Sequence, residues 1–119
     1  MNARALTLAA LLALPFSAQA FDRKDAELAM TEATTALQTA ERADAMPEDL
    51  AEVHDMLSNA QGAFDQHHWQ ECVFSAENAR VDSDLAAARS RQHRAEAASA
   101  EIERSVRTLQ GQLGNGGQP

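Results

Sequence analysis

The sequence predicts an all-α protein: an antiparallel helical hairpin or three-helix bundle with a long, coiled-coil-like C-terminal helix. Three observations carry this. Alanine supplies 26 of the 119 residues, and alanine is the strongest helix former. Tyr is absent and the aromatics are four Phe and one Trp, which gives a β-sandwich little to build from. Beyond residue 20, apolar side chains recur at alternating spacings of three and four, the period of one buried helical face. A chain of this length holds one small domain. The single Cys excludes an intramolecular disulfide and any multi-Cys zinc framework.

Residues 1–20 read as an export signal. Arg4 supplies a positive start, Ala5 to Leu14 is an uncharged run, Pro15 breaks it, and Ala18-Gln19-Ala20 has the small-x-small form of a cleavage site. The run is too short for a hydrocarbon core of roughly 30 Å, which needs about 20 residues. Cleavage is expected after Ala20, leaving a periplasmic chain without a transmembrane segment. Its helical domain is expected over residues 21–113, with residues 114–119 as a flexible tail.

The first helix is expected over residues 22–45. Ala26, Met30, Ala33, Leu37 and Ala40 form its apolar face, Asp22 suits its N-cap, and Asp25 and Glu27 place negative charge at its positive end. Met46-Pro47 is read as its stop, because Pro disfavours helical backbone at the residue before it. Pro47 opens a second helix, 47–65, followed by Glu48 and Asp49. Leu50, Val53, Leu57, Ala60 and Phe64 give this helix the cleanest stripe in the chain, with Leu57 at its centre.

Asp65 to His68 is a polar interruption, and Trp69 opens a third helix, 69–112. Neither Gly nor Pro occurs between Trp69 and Gln110, so the pattern runs on far beyond the common helix length. Cys72, Val73, Ala76 and Ala79 or Arg80 continue a face from Trp69. Ala95, Ala98, Ile102, Val106 (or Ser105), Leu109 and Leu113 form a distal stripe, and Gly111 and the Gly-rich end are read as its stop. About half of this helix has no partner available within the chain. Ile102, Val106, Leu109 and Leu113 are therefore the expected interaction residues, for a homodimer or a protein partner. A bend near Arg89 to Arg94, folding the end back onto the first helix, is the alternative.

The order of these features is an Ala-rich first helix, a Pro-started second helix and a short turn ending in an aromatic. Small residues at Cys72, Ala76 and Ala79 come next, then a long charged helix. In this the chain resembles a domain-of-unknown-function family of TPR-like, Ala-rich helical envelope proteins of bacteria. Some members of that family carry an OmpA-type peptidoglycan-binding domain further on. The resemblance covers roughly Asp22 to Gln92. His67-His68 stand where the family has Gly-Asp, and Cys72 where it has Ala. The resemblance implies a helical envelope protein and transfers no catalytic residue. Cell-wall anchoring is not expected to carry over, because no peptidoglycan-binding segment is legible after Gln92. A TPR unit takes about 34 residues and arrays need about three; at most one unit is visible.

Charge narrows the partners. The chain carries 18 acidic and 10 basic side chains, which disfavours nucleic acid and anionic lipid. The imbalance is local. Phe21 to Leu85 holds 15 acidic and 4 basic residues, whereas Ala86 to Pro119 holds 3 acidic and 5 basic. One cluster suggests chemistry: His67, His68, Glu71 and Cys72 are zinc or copper ligand types, and His68 is at helical-neighbour spacing from Glu71 and Cys72. The structural alternative places the two His in a solvated turn and Cys72 in the core. Trp69 is read as an anchor against Phe64 rather than a stacking platform. No catalytic constellation is legible. His54 and His93 lie far from Cys72 in sequence, and Ser58, Ser75 and Ser83 fall within helices. The expectation is a non-enzymatic, cofactor-free envelope protein with an interaction or structural role. The alternatives are a periplasmic chaperone or stress-type protein and a metal-handling protein.

Overall fold

A computed structural model describes residues 20–116, so all but the last residue of the expected leader, 1–20, and the end of the expected tail lie outside the described residues. Three helices follow one another, α1 (Arg23–Arg42), α2 (Pro47–Asp65) and α3 (Trp69–Gly116), with no strand among the described residues. The chain runs up, down and up, so α2 is antiparallel to both neighbours and α1 lies parallel to α3. Contacts at the two ends define this arrangement. At one end the Arg23 guanidinium sits 5.6 Å from the centre of the Phe64 ring, and Phe64 meets Trp69 edge-on at 5.2 Å. At the other, the Ser90 hydroxyl lies 2.5 Å from the Ala43 carbonyl oxygen, and Arg89 pairs with Asp49 at 3.5 Å.

The α1 helix opens on a reciprocal cap. Asp22 accepts from the Asp25 amide at 2.9 Å, and the Asp25 carboxylate accepts from the Asp22 amide at 3.0 Å. The bond from the Asp25 amide is the main cause that holds the Asp22 carboxyl below its ordinary range. On the exposed face, Thr31, Thr34, Thr35 and Thr39 each donate to the carbonyl four residues back. Their hydroxyls are thereby satisfied without partners on other helices.

Both connections are built alike. Asp44 and His67 adopt left-handed backbone, with φ of 55° and 60°. The Ala45 amide donates to Ala40 O and the Asp44 amide to Glu41 O; the His68 amide donates to Ala63 O and the His67 amide to Phe64 O. Each is a Schellman cap, which satisfies carbonyls that a helix end leaves free. The first helix therefore stops at Arg42, earlier than the Ala45 expected from Met46-Pro47. Ala43 and Ala45 are still buried in the connection, so the apolar pattern continued past the end of the helix itself.

Alanine dominates the core. Ala26, Ala29, Ala33, Ala36 and Ala40 of α1 are buried, and α3 answers with Ala76, Ala79, Ser83, Ala86 and Ala87. Leu50 packs against both apolar clusters and joins them. In α2 the fully buried positions are Val53 and Ala60, while Leu57 is only partly buried at the rim. The helix–turn–helix core thus follows the expected stripes, with Val53 rather than Leu57 at its centre.

The α3 helix is continuous for 48 residues, roughly 72 Å at 1.5 Å per residue. The alternative bend near Arg89 to Arg94 is not formed. Gly111 and Gly114, read as a stop, lie inside the helix. None of the described glycines takes positive φ, the conformation through which glycine terminates a helix. Within the described residues, no helix is long and apolar enough to cross a membrane.

Two expected outcomes follow from this packing. Ala33 is 0% exposed, so Ala33→Leu adds volume where none is free and should cost about 1–3 kcal/mol despite its hydrophobicity; thermal melting measures it. Asp44→Gly removes the left-handed strain of a β-carbon, worth about 1 kcal/mol, and loses only an exposed ion pair to Arg94. Its melting temperature should rise by about 4–8 °C.

Candidate functional site

Ser90 is the last buried residue of α3. All 26 residues from Arg91 to Gly116 are exposed, so more than half of the helix projects beyond the bundle as an arm. The junction is well tied. Ser90 lies within reach of both the Ala43 and Asp44 carbonyl oxygens, Arg94 donates to Ala43 O, and Arg94 pairs with Asp44 at 3.8 Å. This one cation and one hydroxyl sit on carbonyls at the C-terminal end of α1, where the helix dipole favours positive charge. A shallow groove of about 580 Å³ lies at this junction, lined by Met46, Ala97, His93 and Arg94 among others.

The arm carries the expected stripe in the open. Ile102, Val106, Leu109 and Leu113 are 46–77% exposed. Three more large apolar side chains of α3 are exposed within the bundle region, Phe74, Val81 and Leu85. The sequence reading missed them, because it followed the face that leads from Trp69 into the core. Spacing was the available signal. Counting by alternate steps of four and three from Phe74 gives Val81 and Leu85, and the same count arrives at Ile102, Val106, Leu109 and Leu113. Seven residues of one heptad register thus line the outer face of α3.

The possible metal cluster is not assembled. Cys72 is fully buried within the core, whereas His67 and His68 are exposed. His67 stacks on Trp69 with centroids 5.1 Å apart, and His68 Nδ1 lies 3.5 Å from Glu71. No group of three or more His, Cys, Asp or Glu among the described residues is placed to hold a metal ion. Trp69 joins Phe64 and His67 in closing the end of the bundle, which is the anchoring arrangement.

The residues weighed for catalysis are also separated. His54 faces Glu41 at 3.8 Å, His93 faces Glu96 at 3.9 Å, and the buried Ser83 hydroxyl donates to Ala79 O at 2.7 Å. Burial pushes the Cys72 thiol up from its ordinary pKa, which reduces the thiolate that nucleophilic or redox chemistry requires. Comparison with protein families, curated proteins and solved structures finds no match for this chain.

Cys72 should therefore react with a thiol reagent at least about a hundredfold more slowly in the native chain than in denaturant, since access requires opening of the core. A native rate equal to the denatured one would place the thiol at the surface.

Proposed function

We propose that this is a non-enzymatic, exported helical protein of the cell envelope that works by helix–helix association through the distal half of α3. One observation carries the reading: an arm that is exposed throughout yet bears Ile102, Val106, Leu109 and Leu113 at heptad spacing. A helix that only spaces two parts through water is polar all round. The small three-helix body anchors the arm, and the stripe supplies the contact. Export rests on the leader-like residues 1–20.

The other readings draw less support. A chaperone that holds clients on its apolar stripes would have only the outer face of α3 open to them, because those of α1 and α2 are in the core. Metal handling by His67, His68 and Cys72 would need the thiol to leave that core.

Sedimentation tests the proposal. The native chain at micromolar concentration is expected to exceed the mass of a single chain. Ile102→Asp with Leu109→Asp should weaken association at least about a hundredfold, because each charge would be buried without a partner. Helicity of the body should persist. A native monomer indifferent to the double substitution would overturn the reading.

A further inference from the structure

We infer that the outer seam of α3, from Phe74 to Leu113, pairs with the same seam of a second copy of this chain, parallel and in register. This rests on the association proposed above, and adds what is bound, how far the contact extends and its direction.

The helix has two faces with one period. In heptad letters with Asn78 at position a, the residues that enter the bundle occupy b, c and f: Ala79 and Ala86 at b, Ala87 at c, Ala76, Ser83 and Ser90 at f. The seam occupies a and d, on the opposite side. Because both faces repeat every seven residues, they stay opposed along the helix. Beyond Ser90 the b, c and f face becomes polar, with His93, Arg94, Glu101, Arg104 and Arg107. The a and d face stays apolar to Leu113. The arm therefore does not extend the interior of the bundle; it extends the outer seam. Phe74, Val81 and Leu85 show that the seam is open beside the body as well, at 45–57% exposure. It runs for more than five heptads, above the three to four that mark a coiled coil.

Polar residues fix the direction. Asn78, Gln92 and Ser99 all fall at position a, and position d is apolar from Phe74 to Leu109. Parallel, in-register pairing sets a against a, so Asn78 meets Asn78 of the second copy and the two amides bond to each other. Antiparallel pairing sets a against d and leaves Asn78 facing Leu109 of the second copy, its amide unpaired in an apolar layer. A single Asn at position a specifies register in this way in coiled coils.

Charges at the seam's borders agree. In the parallel pair, position g faces position e of the next heptad on the other copy. Asp84 then faces Arg89 of the second copy, whose guanidinium also reaches Asp49 of its own chain at 3.5 Å, and Arg91 faces Glu96 of the second copy. Against this, Glu77 faces Asp82 of the second copy. Glu77 is already bonded to Arg80 of its own chain at 2.9 Å, which offsets that repulsion. The whole chain is acidic, but the flanks of this seam are locally complementary.

Cross-linking tests the register in the full chain. With Cys72→Ala as background, Ser99→Cys places a thiol at position a, and Thr108→Cys places one on the far face. Mild oxidation should link Ser99→Cys chains at least about tenfold faster than Thr108→Cys chains. Separately, Phe74→Asp with Val81→Asp, both at exposed sites, should weaken dimerisation at least about tenfold while circular dichroism is unchanged. Equal cross-linking rates would overturn the parallel register. Dissociation by Ile102→Asp with Leu109→Asp, but not by the Phe74 and Val81 pair, would overturn the full-length seam and leave association by the arm standing. A monomeric native chain would overturn both.

Discussion

The contact between α1 and α3 is made mainly of small side chains, alanine on α1 and alanine with serine on α3, and the rest of the chain is arranged around the short distance this allows. Each buried alanine removes little area from water, so the hydrophobic return per residue is small. What it permits is close approach of the two backbones, which brings many atoms into van der Waals contact. The same property makes the interface intolerant. With Ala26, Ala33, Ala40, Ala76 and Ala79 all at 0% exposure, no side chain there can grow without parting the helices. A third helix with larger side chains is then needed. Leu50, Val53, Leu57 and Phe64 of α2 fill the groove between α1 and α3 and supply the volume that alanine lacks.

A thin core of this kind leaves the ends of the bundle to be tied separately, and both are. Trp69, Phe64, His67 and Arg23 pack together at one end. At the other, Ser90 and Arg94 reach the last carbonyls of α1. The second tie has a consequence for the arm. It fixes the orientation of α3 at the point where the helix leaves the body, so the a and d face of the arm keeps its direction relative to the face that α1 and α2 cover. Two Schellman caps with non-glycine residues at the left-handed position hold the loops short, and short loops keep the three helices in one up-down-up order.

Much of this was legible from the residues alone, for identifiable reasons. Helix type and number followed from period and composition. Pro47 marked the start of α2 because its missing amide and fixed φ suit only the first turn. Helix ends were harder. The stop at Arg42 depends on a left-handed Asp44, which has no signature as sharp as glycine, and buried Ala43 and Ala45 disguised it. At the other extreme, Gly111 and Gly114 carry the usual sign of a stop, yet no long-range contact turns the chain there and the helix continues. Cys72 shows a further limit. Its spacing from His68 fitted a ligand pair while its place on the face from Trp69 fitted the core, and the packing of α3 on its neighbours bears out the second. The half of the outer seam beside the body, Phe74, Val81 and Leu85, was missed for a related reason: a helix with apolar residues on two faces blurs any single stripe.

The distribution of apolar residues along that seam bears on how it works. Large side chains are concentrated in two blocks, Phe74 to Leu85 beside the body and Ile102 to Leu113 on the arm. Between them stand Ala88, Gln92, Ala95 and Ser99. Neither block alone provides the three to four heptads that a stable coil requires, so each depends on the other through a middle section that contributes little apolar area. Arg89, Arg91 and Glu96 border this middle section, and there the electrostatic pairing is favourable. The seam thus divides its tasks: apolar area at the two ends supplies the attraction, while Asn78 within the first block and the charged borders of the centre set direction and register. An uninterrupted apolar seam would hold more tightly, but it would accept either direction and several registers, and it would expose a much larger sticky surface on the free chain.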